Sequence, residues 1–224
     1  MVYGRRSGHK LRPSQAALTE TLLPRLRLDP SALPLPLERA FKAPVREIWL
    51  EIGFGGAEHL LWHARRNPQV GFIGVEPFIN GMAKLLSAVQ SEGLANIRVY
   101  DGDARLLLPE LPTACLSRAF VLFPDPWPKK RHNKRRIINA ETLAELARVL
   151  KHGGELRLAS DIPDYVRWML AHARRVPQFV WAAERAEDWR TRPEDWPQTR
   201  YEQKAVREGR TPAYLRFHRA APAS

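Results

Sequence analysis

The chain has little of what would stabilise a protein outside a reducing compartment or within a bilayer. Cys115 is its one cysteine in 224 residues, so it has no internal disulfide and no set of thiols at metal-site spacing, and a cytoplasmic location is expected. No run approaches the eighteen uncharged apolar residues of a membrane helix. Arg5, Arg6, Lys10 and Arg12 are not followed by an apolar segment, so neither membrane spans nor secretion is expected. There is no internal repeat and no sustained heptad pattern, which argues against solenoids and coiled coils. H-E-x-x-H is missing too. His59 and His63 stand four apart without a third ligand nearby, so no metal is expected. No Ser/His/Asp or Cys/His arrangement is readable.

Acidic residues are in deficit: 24 Asp and Glu face 36 Lys and Arg, for a net charge of +12. Such an excess concentrates polyanions by long-range attraction and releases their counterions on contact, so a nucleic-acid partner is expected. The excess is clustered in Arg5, Arg6, His9, Lys10 and Arg12, and in the run Lys129-Lys130-Arg131-His132-Asn133-Lys134-Arg135-Arg136. The N-terminal cluster reads either as an electrostatic arm or as a tail without a role.

What is present is the texture of one α/β domain. Up to about residue 44, Pro24, Pro30, Pro34 and Pro36 interrupt a Leu- and Arg-rich stretch without a period, which reads as a basic, partly flexible extension (1–44) with one short helix. From Val45 to the end (45–224), apolar runs of strand length alternate with segments of helical period, the mark of βαβ units and a parallel sheet. The spacing predicts strands at Glu47 to Ile52, Val70 to Val75, Ile97 to Tyr100, Arg118 to Phe123 and Glu155 to Ala159. Phe179 to Ala183 and Ala213 to His218 would add an antiparallel pair. The expected fold is a doubly wound, mostly parallel, seven-stranded α/β sheet with that pair at its C-terminal end. One helix follows Pro77 as a first-turn residue. Another starts from Asn139 as N-cap and stops at Gly153-Gly154.

Glu51-Ile52-Gly53-Phe54-Gly55-Gly56-Ala57 joins the first strand to a helix. Its glycines let a bound nucleoside approach the backbone. A dinucleotide fold needs G-x-G-x-x-G, and here the sixth position is Glu58, an acid that would repel a pyrophosphate. A nucleoside without phosphate suits the pattern better, and S-adenosylmethionine is one. Glu76, at the end of the second strand, can accept from both ribose hydroxyls. Asp103, in Gly102-Asp103-Ala104, lies where an acceptor would meet an adenine amine, and Glu51 could hold the methionine end. Each of these acids has a second reading as a cap of the following helix.

Phe123-Pro124-Asp125-Pro126-Trp127-Pro128 places three prolines at alternate positions, which forbid a helix and present Asp125 and Trp127 from a stiff loop. In strand order 3-2-1-4-5 that loop faces the glycine turn across the switch point. By the resemblance of residues 123 to 136 to the bacterial tRNA (guanine-N(7)-)-methyltransferases, the acceptor would be ring nitrogen seven of guanine, which carries a free lone pair, so methylating it needs alignment and not a base. A carboxylate nearer the purine than the sulfur favours the transition state. Asp125 is the candidate, with Asp161 on the guanine donor edge, although the two roles are interchangeable at this level. Lys129 would lie beside the target nucleotide, the rest of the run along phosphates. Trp127 either stacks a splayed base or packs.

Residues 123 to 136 resemble the signature of the bacterial tRNA (guanine-N(7)-)-methyltransferases, which modify guanosine 46 in the variable loop. The likeness extends over nearly the whole chain and includes Glu51-Ile52-Gly53-Phe54-Gly55, Val75-Glu76, Gly102-Asp103-Ala104, Ser160-Asp161 and Thr199-Arg200-Tyr201-Glu202. It implies an S-adenosylmethionine-dependent, Rossmann-like methyltransferase that acts on tRNA as a monomer or homodimer, without a metal. The cofactor site would be lined by Glu51, Gly53, Gly55, Glu76, Asp103, Ala104 and Asp125. Lys129, Asp161, Thr199, Arg200, Tyr201 and Glu202 would contact substrate. Ala57 departs from the glycine that family members often carry there. The rival readings are a non-catalytic RNA-binding protein on the same scaffold, an NAD-dependent oxidoreductase, and a methyltransferase of exocyclic amines. The last usually carries a D/N-P-P-Y/F loop, a pattern that Asp125-Pro126-Trp127 interrupts.

Overall fold

A computed structural model describes residues 6–221; Arg5 of the N-terminal basic cluster lies outside them. In chain order the helices are α1 (Pro13–Thr21), α2 (Leu23–Leu26), α3 (Glu58–Arg66), α4 (Ile79–Glu92), α5 (Ala104–Leu107), α6 (Ala140–Val149), α7 (Pro163–Ala173), α8 (Glu187–Arg190) and α9 (Arg200–Arg207). The strands are β1 (Glu47–Ile52), β2 (Val70–Val75), β3 (Ile97–Tyr100), β4 (Leu116–Leu122), β5 (Leu150–Ser160), β6 (Phe179–Trp181) and β7 (Ala213–Arg219).

They form one seven-stranded sheet in the order β3-β2-β1-β4-β5-β7-β6. Strands β1 to β5 run parallel, and β7 pairs antiparallel with β5 and β6. The expected fold class and closing antiparallel pair are therefore those observed. β1 is buried along almost its whole length because helices cover both faces of a parallel sheet. Ile48, Leu50 and Ile52 join one core with α5, α6 and α7, and Trp49 joins the other with α3 and α4, as the two-residue period of a strand requires.

Residues 6–44 are more structured than their sequence suggests. Two helices and two 3-10 turns replace the single expected helix. Leu23 and Leu26 enter one core, whereas Leu28, Leu37 and Phe41 enter the other. Between them the chain crosses the edge of β3, where Leu28 N–H donates to Val99 O at 2.8 Å. The segment thus covers a sheet edge that would otherwise be open for pairing.

Two predicted helix boundaries need correction. Asn139 does cap α6, its side chain accepting from Thr142 N–H at 3.0 Å, but the helix ends at Val149 and Gly153-Gly154 lie within β5. Gly153 has φ +75° and the β4–β5 register shifts nearby, so the glycines serve a strand irregularity, a use that local sequence cannot distinguish from a helix stop. Pro77 precedes α4, whose N-cap is Phe78. The Glu76 carboxylate takes Phe78 N–H at 3.0 Å and so turns residues 76–78 before the helix begins.

A switch-point cavity as the candidate active site

The strand order reverses between β1 and β4, and beyond the C-terminal ends of these strands lies a cavity of about 410 Å³, where open α/β sheets bind ligands. The loops after β1, β2, β3 and β4 all line it, contributing Gly53 and Gly55, Glu76 and Phe78, Asp103 and Ala104, and Phe123 to Asp125 with Trp127. Tyr201, at the start of α9, completes the rim.

The glycine wall is built from backbone. Gly53 and Gly55 hold φ of +76° and +52°, and the Glu76 carboxylate accepts Gly55 N–H at 2.7 Å. A Cβ on Gly81 would stand 2.1 Å from Gly55 O, so α4 can sit against the loop only with glycine there. Glu76 is buried. Burial pushes its carboxyl above the usual range; the charges of Asp125 and Glu51 add to this, and the two backbone N–H groups oppose it. Those bonds occupy two of about four lone-pair sites, which leaves acceptors for a diol. Ala57 has φ +64° and is fully buried at the start of α3, a left-handed conformation that disfavours a side chain.

The opposite wall is the proline loop. Phe123 and Trp127, each followed by proline, have φ of +48° and +43°, rare for bulky residues. Phe123 N–H donates to Ala159 O at 2.8 Å. Asp125 is exposed and lines the cavity, so it shares this space with Glu76. Arg136 fixes the far end of the loop. Its Nε donates to Pro126 O at 2.9 Å and it pairs with Asp164 at 2.6 Å, 1% exposed and lying over the Tyr165 and Trp168 rings. The expectation that the whole basic run faces RNA therefore fails at Arg136. A basic run reads as surface, and no local signal separates its one buried member. Arg135 does line the cavity, with its guanidinium 4.9 Å from the centre of the Trp127 ring.

The other candidates are distributed as follows. Asp103 lines the cavity, but its carboxylate caps α5 through Arg105 N–H and pairs with the Arg105 guanidinium at 2.6 Å, the capping reading of this acid. Burial would raise its pKa, but the bonds from Arg105 outweigh it and hold the carboxyl low. Glu51 stands behind the lining, buried, with His59 Nδ1 at 2.7 Å. His59 Nε2 lies 3.2 Å from His63 Nε2. A carboxylate only accepts, so His59 donates to Glu51 from Nδ1. Burial, with a smaller contribution from His59, lowers the His63 pKa to about 3. Sequence reading weighed these histidines only as metal ligands; among the described residues no group of three or more His, Cys, Asp or Glu could hold a metal ion.

Lys129 is exposed outside the cavity. Asp161 pairs with Arg210 at 2.5 Å. Thr199 caps α9, and Glu202, 3% exposed, binds Tyr214 Oη and Arg192. Arg200 holds Glu58, through Nε at 2.7 Å and its backbone N–H at 2.8 Å. This corrects the argument against a dinucleotide. Glu58 is neutralised by Arg200 and does not line the main cavity, so its charge repels no phosphate there.

Residues 45–215 match the model of a family described as "Putative methyltransferase". The chain is 57% identical over 218 residues to the tRNA (guanine-N(7)-)-methyltransferase of Chelativorans sp. (strain BNC1), covering 97% of this chain and 94% of that protein. It is 52% identical over 219 residues to the protein of the same name from Rhizobium meliloti (strain 1021), with the same coverages of 97% and 94%. Among solved structures, the 16S rRNA methyltransferase KamB superposes with a TM-score of 0.63 at 17% identity, over 85% of this chain and 95% of that one. A 16S rRNA (adenine(1408)-N(1))-methyltransferase mutant with cosubstrate SAM from Catenulisporales acidiphilia gives 0.59 at 18%, over 88% and 94%. At such identities the superpositions speak for the fold alone. Among the described residues, no helix is long and apolar enough to cross a membrane.

Proposed function

The chain belongs to the tRNA (guanine-N(7)-)-methyltransferase family, and on that premise we propose that it methylates N7 of guanosine 46 in tRNA, in the cytoplasm, with S-adenosylmethionine as donor. The observation that carries this reading is the shared cavity of about 410 Å³, with Glu76 on its glycine wall and Asp125 on its proline wall. A non-catalytic RNA-binding protein would need no such pair of acids. The choice of position 46 is supported by the resemblance of residues 123 to 136 to the family signature.

When bound, S-adenosylmethionine supplies an electrophilic methyl group on a cationic sulfur. The cavity fits it: Glu76 keeps free lone pairs for the ribose hydroxyls, Gly53 and Gly55 keep side chains out of its way, and Asp103 and Ala104 border the adenine side. Glu51 contributes from behind the wall through its negative charge. Residues 45–224 then form the catalytic domain and 1–44 its basic extension.

N7 has no proton to lose, so the chain's work is alignment and electrostatics. Asp125, rigidly held between two prolines, stabilises positive charge as it develops on the purine. Asp161, Lys129, Arg200 and Tyr201 hold the nucleotide, with Tyr201 at the rim beside Gly55, whereas buried Thr199 and Glu202 act within the fold by fixing α9.

The test is incubation of the protein with labelled S-adenosylmethionine and unmodified tRNA, followed by mapping of the labelled nucleoside. Label in 7-methylguanosine at position 46 is expected; label elsewhere, or none, defeats the proposal. Asp125→Asn should lower turnover by about 100-fold or more while the protein stays folded, and near-wild-type turnover would remove Asp125 from the mechanism.

A further inference from the structure

Beside the main cavity is a second, of about 270 Å³, which shares Gly55, Phe78 and Tyr201 with it. Its remaining wall is basic, with Lys84 from α4 and Arg200 and Lys204 from α9 facing a single acid, Glu58. Arg200 already satisfies that acid. Lys204 has only a 3.9 Å contact with Glu208, and Lys84 forms no ion pair among the described residues. Two cations therefore face this cavity without a committed partner.

Two further observations indicate what it holds. Tyr201, 61% exposed, stands on the partition between the cavities, which leaves an aromatic ring open for a base to stack on. The N-terminal basic stretch is fastened beside it. Asn80 accepts Gly8 N–H at 2.7 Å and donates to His9 O at 2.6 Å, and Ile79 N–H donates to Arg6 O at 3.0 Å. A Cβ on Gly8 would lie 3.0 Å from the Phe78 ring, the residue common to both cavities. Arg6 and Lys10, both exposed, are thus held next to the basic wall rather than trailing from it. Exposed lysines beside an open cavity suit a backbone that passes them better than a single enclosed anion.

We infer that the second cavity receives a backbone phosphate of the tRNA adjacent to the target guanosine, gripped by Lys84 and Lys204, with the Asn80-clipped N-terminal stretch continuing the contact. The inference rests on the proposed tRNA methylation and deepens it. The extension thereby gains a defined role, because its charge is delivered to one side of the active site.

The experiment compares wild type with a Lys84→Ala/Lys204→Ala double variant, measuring tRNA affinity across a salt series, KM for tRNA and affinity for S-adenosylmethionine. Lys42→Ala is the control, since Lys42 follows Phe41, whose ring covers Gly71 at the opposite end of the sheet. The double variant should raise KM for tRNA about 10-fold and flatten the slope of log affinity against log salt by about one to two. S-adenosylmethionine binding should be unchanged. Asn80→Ala should flatten the slope by a further amount and Lys42→Ala should not. A double variant with the wild-type slope and KM overturns the phosphate site while leaving the methylation reading intact. So does a Lys42→Ala effect of equal size. A wild-type chain that does not methylate tRNA overturns both.

Discussion

The two walls of the switch-point cavity are stiffened by different means. The glycine wall is held at its main chain by a single carboxylate: the Glu76 side chain accepts both Gly55 N–H and Phe78 N–H, and the Gly55 carbonyl lies against Gly81. The proline wall is held by side chains and strained dihedrals, with Phe123 and Trp127 in the left-handed region and Arg136 gripping Pro126 O from below. The difference reflects what each wall does. The first must leave room for a ligand and so carries glycines where a side chain would intrude. The second must project Asp125 into that room, so it cannot be fixed through Asp125 itself and needs a strut behind it.

The comparison breaks most sharply at the strut. Arg136→Ala leaves Pro126 O without its donor and removes the cation packed over Tyr165 and Trp168, while Asp164 is left facing water, for a loss of about 1–3 kcal/mol in denaturant unfolding. Turnover should fall with it. Neighbouring Lys134→Glu, exposed, should instead lower tRNA affinity with little change in stability. If both substitutions alter only RNA binding, the wall is not held as described. Gly81→Ala strikes the other wall. Its methyl would have to displace the Gly55 carbonyl, at a cost of up to about 3 kcal/mol, and affinity for S-adenosylmethionine should fall while tRNA affinity changes little. Isothermal titration with each ligand checks the split.

The smallest effect concerns what backs the glycine wall. His63 is held neutral, its pKa lowered to about 3 from an unfolded value near 6.5. A histidine with a depressed folded pKa contributes stability above pH 6.5 that is lost as pH falls below it, about 2 kcal/mol between pH 7 and pH 5. His63→Gln keeps a polar partner for His59 and does not titrate, so its stability should be flatter across this window. Parallel curves of stability against pH for the two proteins would refute a neutral His63 in the fold.

Much of the site was legible because it depends on short-range chemistry. The β1 turn announces itself through Gly53 and Gly55, the β2 end through Glu76, and the proline loop through residues 123 to 128, each within one loop of a readable strand. Less legible were the residues whose partners lie far along the chain. Arg136 reaches Asp164, 28 residues away, Arg200 reaches back 142 residues to Glu58, and Asn80 clips a segment more than seventy residues before it. In sequence each looks like an ordinary exposed polar side chain. Asp103 had two readings, and only the placement of Arg105 showed its carboxylate to be committed as a cap.

Alternating apolar runs, glycine turns and prolines determined by themselves the strands, their parallel pairing and the loops at the switch point, because periodicity and backbone restriction act over a few residues. The family signature was local for the same reason. Only the tertiary structure decided which charges are spent on the protein and which remain for a ligand. Whether a guanidinium or carboxylate is free depends on what lies within about 3 Å of it, and chain packing alone sets that distance.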